Sequence, residues 1–441
     1  MKPNKKALLP LVVFVLFYVL SGVVLSLRGV EMPFYQIPSP ISIMIGVVVA
    51  FIIFEGTVNE KADDFVKGCG DENIIIMCII YLLAGAFAQV TKASGAVDSV
   101  VNFSLSIVPV NFLVPGIFLI STFLSIATGS SVGSVVALGP IVYGVAVKIG
   151  INPALMLAAL ICGAMAGDNL SLISDTTIAA TRTQNIGMKQ KFVMNSKFGF
   201  PAIIISTIIF AIIGRPETTI TMVKESYNLV YVIPYLLVIV TALMGMNVLL
   251  VLFSGTLLAG IIGMIYGKFD TIMLSKTIFE GFTGVLDIFL LSMFTGGLAY
   301  MVRKHGGIDW IIMKVKNKVK GTKSAEAAIA TLVGLTNVAV ANNTVSILIN
   351  GQVASELTKE YDVKPSRVAS ILDTTSCVIQ GIIPYGAQIL IASGLSAGKV
   401  APTDIMPFLV NQYVLLAMMI LTIITRFGTN SDPATEVPDA K

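Results

Sequence analysis

Gly167-Asp168-Asn169-Leu170-Ser171-Leu172-Ile173-Ser174-Asp175-Thr176-Thr177 interrupts what would otherwise be an ordinary membrane-spanning helix. Upstream, Ala154 to Ala166 is almost wholly apolar and small, and downstream Ile178-Ala179-Ala180 resumes the pattern. An ionised carboxylate at the centre of a bilayer costs about 2.5 to 3.5 kcal/mol even on the lenient insertion scales. Two of them, set among hydroxyl, amide and glycine residues, do not sit there as lipid-facing filler. The stretch reads as an ion or proton site inside a transporter.

Composition supports a membrane setting. Charged residues make up 12% of the 441 and AVILMFWYC 55%, against about 25% charged in soluble domains. The chain is therefore expected to be an integral, multi-pass protein of the plasma (inner) membrane, with room for ten or more spans of about 20 residues. Net charge is +4, and the basic residues cluster in a few loops, so they read as topology signals and not as a nucleic-acid surface. Cys69, Cys78, Cys162 and Cys377 show neither CxxC nor metal-ligand spacing, which argues against a disulfide framework or a zinc site. His305 falls in a loop and reads as structural. The apolar run Ala7–Leu27 is too long for a signal peptide and reads as a retained first span.

A duplication holds at one offset. Pro153 corresponds to Pro365, a shift of 212 residues, and the same shift carries Gly129-Ser130-Ser131 onto Ala341-Asn342-Asn343. It also carries Lys92-Ala93-Ser94-Gly95 onto Lys304-His305-Gly306-Gly307 and places the segment from Asp168 on Gln380-Gly381-Ile382. Two inverted repeats are expected, 1–214 and 215–428, followed by a disordered tail, 429–441. Each repeat holds five crossings, a re-entrant hairpin (113–147 and 327–353) and a broken helix (153–181 and 367–393). The expected fold is all-α and polytopic, with ten transmembrane helices.

Loop charge agrees with both termini being cytoplasmic. Under the positive-inside rule, the loop with Arg182, Lys189, Lys191 and Lys197 falls inside, as does the one with Arg303, Lys304, Lys314, Lys316, Lys318, Lys320 and Lys323. The outer loops carry few basic residues, mixed with acids (Arg28/Glu31, Arg215/Glu217, Lys224/Glu225).

Inverted repeats with broken helices are the usual build of a secondary transporter, because a break frees backbone groups at membrane depth. Four breaks are expected to converge: Thr128–Ser134, Gly167–Thr177, Asn337–Ser346 and Gln380–Gln388. With Asp168 and Asp175 they bring oxygens from Ser130, Ser131, Asn169, Ser171, Ser174, Thr176, Thr177, Asn337, Asn342, Asn343, Thr344 and Gln388. This donor set suits a group I or II cation. Asp175 is also placed to cap a helix, and any one of the hydroxyls could bond back to its own turn. Asp373 lacks an acidic counterpart in the first repeat and joins the candidates. Asp287 and Glu55 lie near span ends and read as interfacial.

The segment from Gly167 to Thr177 resembles the Gly-Asp-x-x-Ser-x-x-Ser-Asp-Thr-Thr signature of the NhaC-type sodium/proton antiporter family. Ala127-Thr128-Gly129-Ser130-Ser131-Val132-Gly133 is similar to that family's Ala-Thr-Gly-Ser-Ser-Trp-Gly. Thr336-Asn337 with Ser346-Ile347, and Asp373-Thr374-Thr375 with Ile383-Pro384-Tyr385, resemble its second-half motifs. The resemblance implies the ion-transporter-superfamily fold, a scaffold domain with a mobile transport domain, and elevator-type alternating access. Asn169 stands where many members carry Lys, Leu172 where many carry Pro, and Asn342-Asn343 replaces a common Asp-Gln.

The leading functional expectation is Na+/H+ exchange, with Asp168 and Asp175 accepting a proton or ligating Na+ in turn. No cofactor is expected beyond the transported ions. Membrane lipid is the surrounding partner, and a homodimer is compatible with the sequence. The alternative is a Na+- or H+-coupled carrier of amino acids or small organic acids. The lack of an arginine away from a span end argues mildly against an anionic substrate. An intramembrane aspartyl protease also needs two membrane aspartates, but it requires Gly-x-Gly-Asp, and Met165 occupies the first Gly position. An enzyme is not expected.

Overall fold

Small residues and helix-capping side chains dictate the architecture. The computed structural model describes residues 2–28, 30, 36–107, 109–215, 227–244, 246–396 and 398–426. The tail, together with Glu31, Glu217, Lys224 and Glu225, lies outside them. Among the described residues every regular element is helical. Among the described residues eight helices are long and apolar enough to cross a membrane, or nine if the bent pair Pro402–Phe408 and Val410–Thr425 is one span; two of the eight, Val110–Thr128 and Ser131–Ile149, fall in the segment expected to be a re-entrant hairpin. Two expected spans appear as shorter apolar helices, Pro40–Ile53 and Leu229–Thr241.

The first half runs Leu9–Leu27, Ser39–Ile53, Val58–Cys69, Glu72–Ser94 and Ala96–Ile107 before reaching its hairpin, Leu113–Thr128 and Ser131–Ile149. The first broken helix, Pro153–Leu170 and Asp175–Gln184, follows, and Met188–Ile213 closes the half. The second half repeats this order with Ile233–Leu243, Val248–Ile265, Thr271–Thr283, Leu286–Lys304 and Gly307–Lys316. Its hairpin is Thr322–Val340 with Asn343–Glu360, its broken helix Pro365–Gln380 with Ala387–Gly394, and Val410–Thr425 closes it.

Local chemistry explains the turns. At the first hairpin tip Gly129 takes a left-handed conformation (φ 67°), and the Ser130 hydroxyl caps the returning arm by accepting from Gly133 N–H at 3.0 Å. At the second tip Ala341 is left-handed (φ 52°), and Asn342 caps by accepting from Val345 N–H at 3.0 Å. Left-handed alanine is strained by about 1–3 kcal/mol and persists only where its surroundings hold it. Asn152 and Pro153 start the first broken helix, the proline at a position where no N–H is needed. The breaks are tighter than the sequence suggested. Only Gly129-Ser130 and Ala341-Asn342 leave the helices at the tips, so Asn337 lies inside an arm.

The first hairpin and the first broken helix pack backbone to backbone. A Cβ at Gly163 or Gly167 would collide with the Phe118 or Thr122 carbonyl. Ser121 Oγ donates to Leu160 O at 2.7 Å and Ser125 Oγ to Ala164 O at 2.6 Å. Close approach of small residues with hydroxyl bonds is how membrane helices associate without a hydrophobic driving force. In the second half Asn337 Nδ2 donates to Ser376 O at 2.8 Å. Donor and acceptor there sit 212 residues after Ser125 and Ala164 (337 minus 125, 376 minus 164).

Around these units stand Glu72–Ser94 and Leu286–Lys304. Each half's short amphipathic helix packs on the other half's long one: Thr271–Thr283 on Glu72–Ser94, and Val58–Cys69 on Leu286–Lys304. Gly85 meets the Gly281 carbonyl, Gly297 meets Phe65, and Lys304 bonds Asp64 at 2.5 Å. The Thr57–Glu60 capping box starts one of these helices, and hydrogen bonds from Thr57 hold the Glu60 carboxyl below its ordinary pKa. The apolar residues of these short helices line a single face and so make no continuous apolar run in the sequence. His305 stacks on Phe54, ring centroids 4.1 Å apart.

One sequence expectation is corrected here. Lys189, Lys191 and Lys197 do not form a loop, because they lie inside a helix that begins at Met188 and runs to Ile213. Lys191 is fully buried, so it is no exposed marker of the cytoplasmic side.

Candidate functional site

The helix that starts at Pro153 unwinds for four residues, Ser171 to Ser174, and restarts at Asp175. Hydroxyls of the motif stitch this gap. Ser171 Oγ donates to Ile126 O at 3.1 Å, Ser174 Oγ to Asp168 O at 3.1 Å, and Thr177 Oγ1 to Ser171 O at 2.8 Å. Ser174 is the cap of the second segment, accepting from Thr177 N–H at 3.2 Å. Asp175 therefore has no capping duty, and its side chain is exposed to the adjacent cavity.

That cavity, about 320 Å³, gathers both hairpin tips and both motif carboxylates. Of the expected site residues, Ser130, Ser131, Asp168, Asp175, Thr176, Asn342, Asn343, Thr344 and Gln388 line it. Ile76, Met77, Ile80, Gly129, Val132, Asn247, Val248 and Leu249 complete the wall. Asp168 is 4% exposed. It accepts from Ser131 Oγ at 2.8 Å and from Thr176 Oγ1 at 3.3 Å. Ser131 in turn accepts from Gln388 Nε2 at 3.0 Å, and Gln380 Nε2 donates at 3.3 Å to both Gln388 Oε1 and Ala341 O. One line of donors thus runs from Gln380, which also donates to the second tip, through Gln388 and Ser131 to the carboxylate on the first broken helix. Among the described residues no lysine or arginine lines this cavity. Arg367 is buried elsewhere, paired with Glu326 at 3.1 Å.

Asn169, Thr177 and Asp373 do not line the cavity. They form a second, fully buried cluster with Thr374 and two residues the sequence reading missed, Lys191 and Asn195. Lys191 Nζ lies 2.7 Å from Asp373 Oδ2, 2.7 Å from Asn169 O and 2.6 Å from Thr177 Oγ1. Asn195 Nδ2 donates at 2.9 Å to Asn169 O and to Asp373 Oδ2. Asn169 Nδ2 reaches Asp373 Oδ2 at 3.0 Å and Thr374 Oγ1 at 2.9 Å. A signal was available: the buried stripe Phe198, Ala202, Ser206, Phe210 extends backwards at helical spacing through Met194 and Asn195 to Lys191. The remaining candidates, Ser171, Ser174 and Asn337, bond backbone carbonyls and serve as struts.

The sequence model of the Na+/H+ antiporter family matches this chain twice, over residues 6–215 and 216–427. The Na(+)/H(+) antiporter NhaC of Alkalihalophilus pseudofirmus is 24% identical over 78% of this chain and 80% of its own. The protein of the same name from Bacillus subtilis is 25% identical over 78% and 82%. The Malate-2H(+)/Na(+)-lactate antiporter of B. subtilis is 22% identical over 80% and 81%. With every described element helical and two of its aspartates, Asp168 and Asp175, set about a helix break, this chain belongs to the Na+/H+ antiporter family.

Proposed function

We propose that this protein exchanges Na+ for H+ at the cavity where Asp168 and Asp175 meet the two hairpin tips. The observation that carries the reading is the wall itself, two carboxylates among hydroxyl and amide oxygens with no fixed cation. A carboxylate that holds either a proton or a sodium ion couples the two fluxes by competition. Sodium is therefore expected to raise the Tm of the detergent-solubilised protein, since a ligand that binds only the native state adds RT ln(1 + [L]/Kd). Sodium at about 100 Kd near pH 8 corresponds to about 2.7 kcal/mol. The shift should shrink as pH falls and protons compete, with potassium nearly inert.

A second reading has its own support. The cavity holds the volume of roughly ten waters, room for a small carboxylate, and two capped helix starts, at Ser130 and Asn342, face it. Helix N-termini bind carboxylates unaided, and one similar protein is a malate/lactate antiporter by name. A Tm raised by malate or lactate, with sodium alone inert at every pH, would replace the Na+/H+ reading with this one.

The two halves act in this reading as inverted repeats about the cavity. The double family match and the paired Ser125–Ala164 and Asn337–Ser376 bonds support a duplication. With cytoplasmic termini, the cavity wall at Ile76 and at Asn247–Leu249 belongs to the inner ends of two scaffold helices, so the cavity opens inward. Hairpins and broken helices then move as one body against the scaffold, in an elevator stroke. Cysteines placed at Lys189 and Lys316, both exposed, should react with an impermeant maleimide only from the cytoplasmic side. Labelling from opposite sides would sink the inverted arrangement.

A further inference from the structure

The Lys191–Asp373 cluster lies beside the transport cavity without lining it, and its geometry is that of a coordination shell. The ammonium sits 2.6–2.7 Å from three oxygens of different kinds: a hydroxyl, a backbone carbonyl and a carboxylate. The carbonyl, Asn169 O, is one that the helix break releases. The N–H four residues on, at Ile173, bonds Ser171 Oγ at 3.2 Å instead. Both charged side chains are fully buried. Asn169 Oδ1 and Asn195 Oδ1 are buried in the same cluster with no hydrogen-bond donor, so it holds spare oxygen acceptors.

Released carbonyl, hydroxyl and carboxylate are the donors that bind a bare alkali cation. A buried ion pair is a poor way to gain stability, since a well-packed apolar pair is often as good or better. The cluster therefore asks for an explanation in terms of charge. We propose that the Lys191 ammonium is a tethered cation occupying a second ion site, built between the two broken helices, and that it fixes how many cations the protein exchanges. Asp373 is permanently satisfied from within the chain, and only the Asp168–Asp175 cavity exchanges its ion. Lys191 is a positioning residue in this scheme: it holds the break in place and touches no substrate. The proposal extends the Na+/H+ reading and predicts that removing the tether opens a vacancy for a free cation.

The test is Lys191→Ala, followed by fluorescence-detected size exclusion and thermal unfolding of membrane extracts in choline, sodium or methylammonium chloride. In choline the variant should unfold at a lower temperature than wild type. Sodium or methylammonium should restore most of the loss, whereas methylammonium should leave wild type unmoved. In proteoliposomes the sodium dependence of exchange should steepen, its Hill coefficient rising from about one towards about two, the number of sites. Equal instability of the variant in all three salts would overturn the proposal, because that is how a merely structural lysine behaves. So would a variant indistinguishable from wild type in choline with unchanged sodium dependence. The methylammonium arm separates the two readings: a wild type blind to sodium sinks sodium exchange, whereas a variant blind to methylammonium sinks the tethered cation.

Discussion

Asp168→Asn is expected to abolish exchange, reducing the sodium-driven pH change in proteoliposomes to that of protein-free vesicles, while leaving the protein folded and inserted. The substitution keeps the shape of the side chain, removes its ability to ionise and turns one acceptor oxygen into an amide donor. Asp168 is the buried carboxylate of the cavity and receives donors from a hairpin tip and from the restarted helix. Neutralising it removes the charge that would attract sodium and the base that would take the proton. Asp175→Asn should be nearly as severe, since Asp175 faces the same cavity and is free of capping duty. Near-normal exchange in both variants would place coupling elsewhere and end the reading of this cavity as the ion site.

Removing Arg367 should produce the largest loss of stability. Arg367 and Glu326 are 1% and 0% exposed, and Arg367 Nη2 also donates to Thr422 Oγ1 at 2.9 Å. Arg367→Met strands the buried Glu326 carboxylate, whose other basic neighbour, Arg426, lies 3.8 Å away. Breaking such a pair typically costs about 3–5 kcal/mol, which should appear as a marked fall in Tm. The double variant Arg367→Met/Glu326→Leu should regain much of that loss, because no unpaired charge remains. A single variant as stable as wild type would show that the pair does not hold the second hairpin to its broken helix. The cavity is remote from this pair, so sodium stabilisation should survive in whatever folds.

The break at Asp168–Asp175 is legible in the sequence because polar residues inside an apolar run have no bland reading at membrane depth. The hairpins are legible for a related reason: Gly129-Ser130 and Ala341-Asn342 are a left-handed turn followed by a cap in both halves. Lys191 was misread because loop statistics count lysines and cannot see that a lysine side chain points inward. Its buried partner, Asp373, is remote in sequence, and only the fold brings the two together. The division of hydroxyls into cavity residues and struts was equally out of reach. Ser131 and Ser171 look alike in sequence, yet one donates to a carboxylate and the other to a carbonyl. The short helices Val58–Cys69 and Thr271–Thr283 escaped because apolar residues confined to one helix face never make the continuous apolar run of a span.

Pro365–Gln380 carries Arg367, Asp373 and six further buried residues with hydroxyl or amide side chains, and it is not among the helices apolar enough to cross a membrane. On insertion scales an aspartate at a helix centre, the place of Asp373, opposes entry by about 2.5 to 3.5 kcal/mol. This segment cannot partition from the translocon into lipid as an independent helix. It has to enter a space already lined with protein, where Glu326 awaits Arg367 and Lys191 with Asn195 awaits Asp373. All three lie earlier in the chain, so the ribosome makes the counter-charges before the helix that needs them. Seating of this helix is therefore contingent on earlier segments: a nascent chain in which Lys191 and Glu326 are out of place offers it no buried counter-charge.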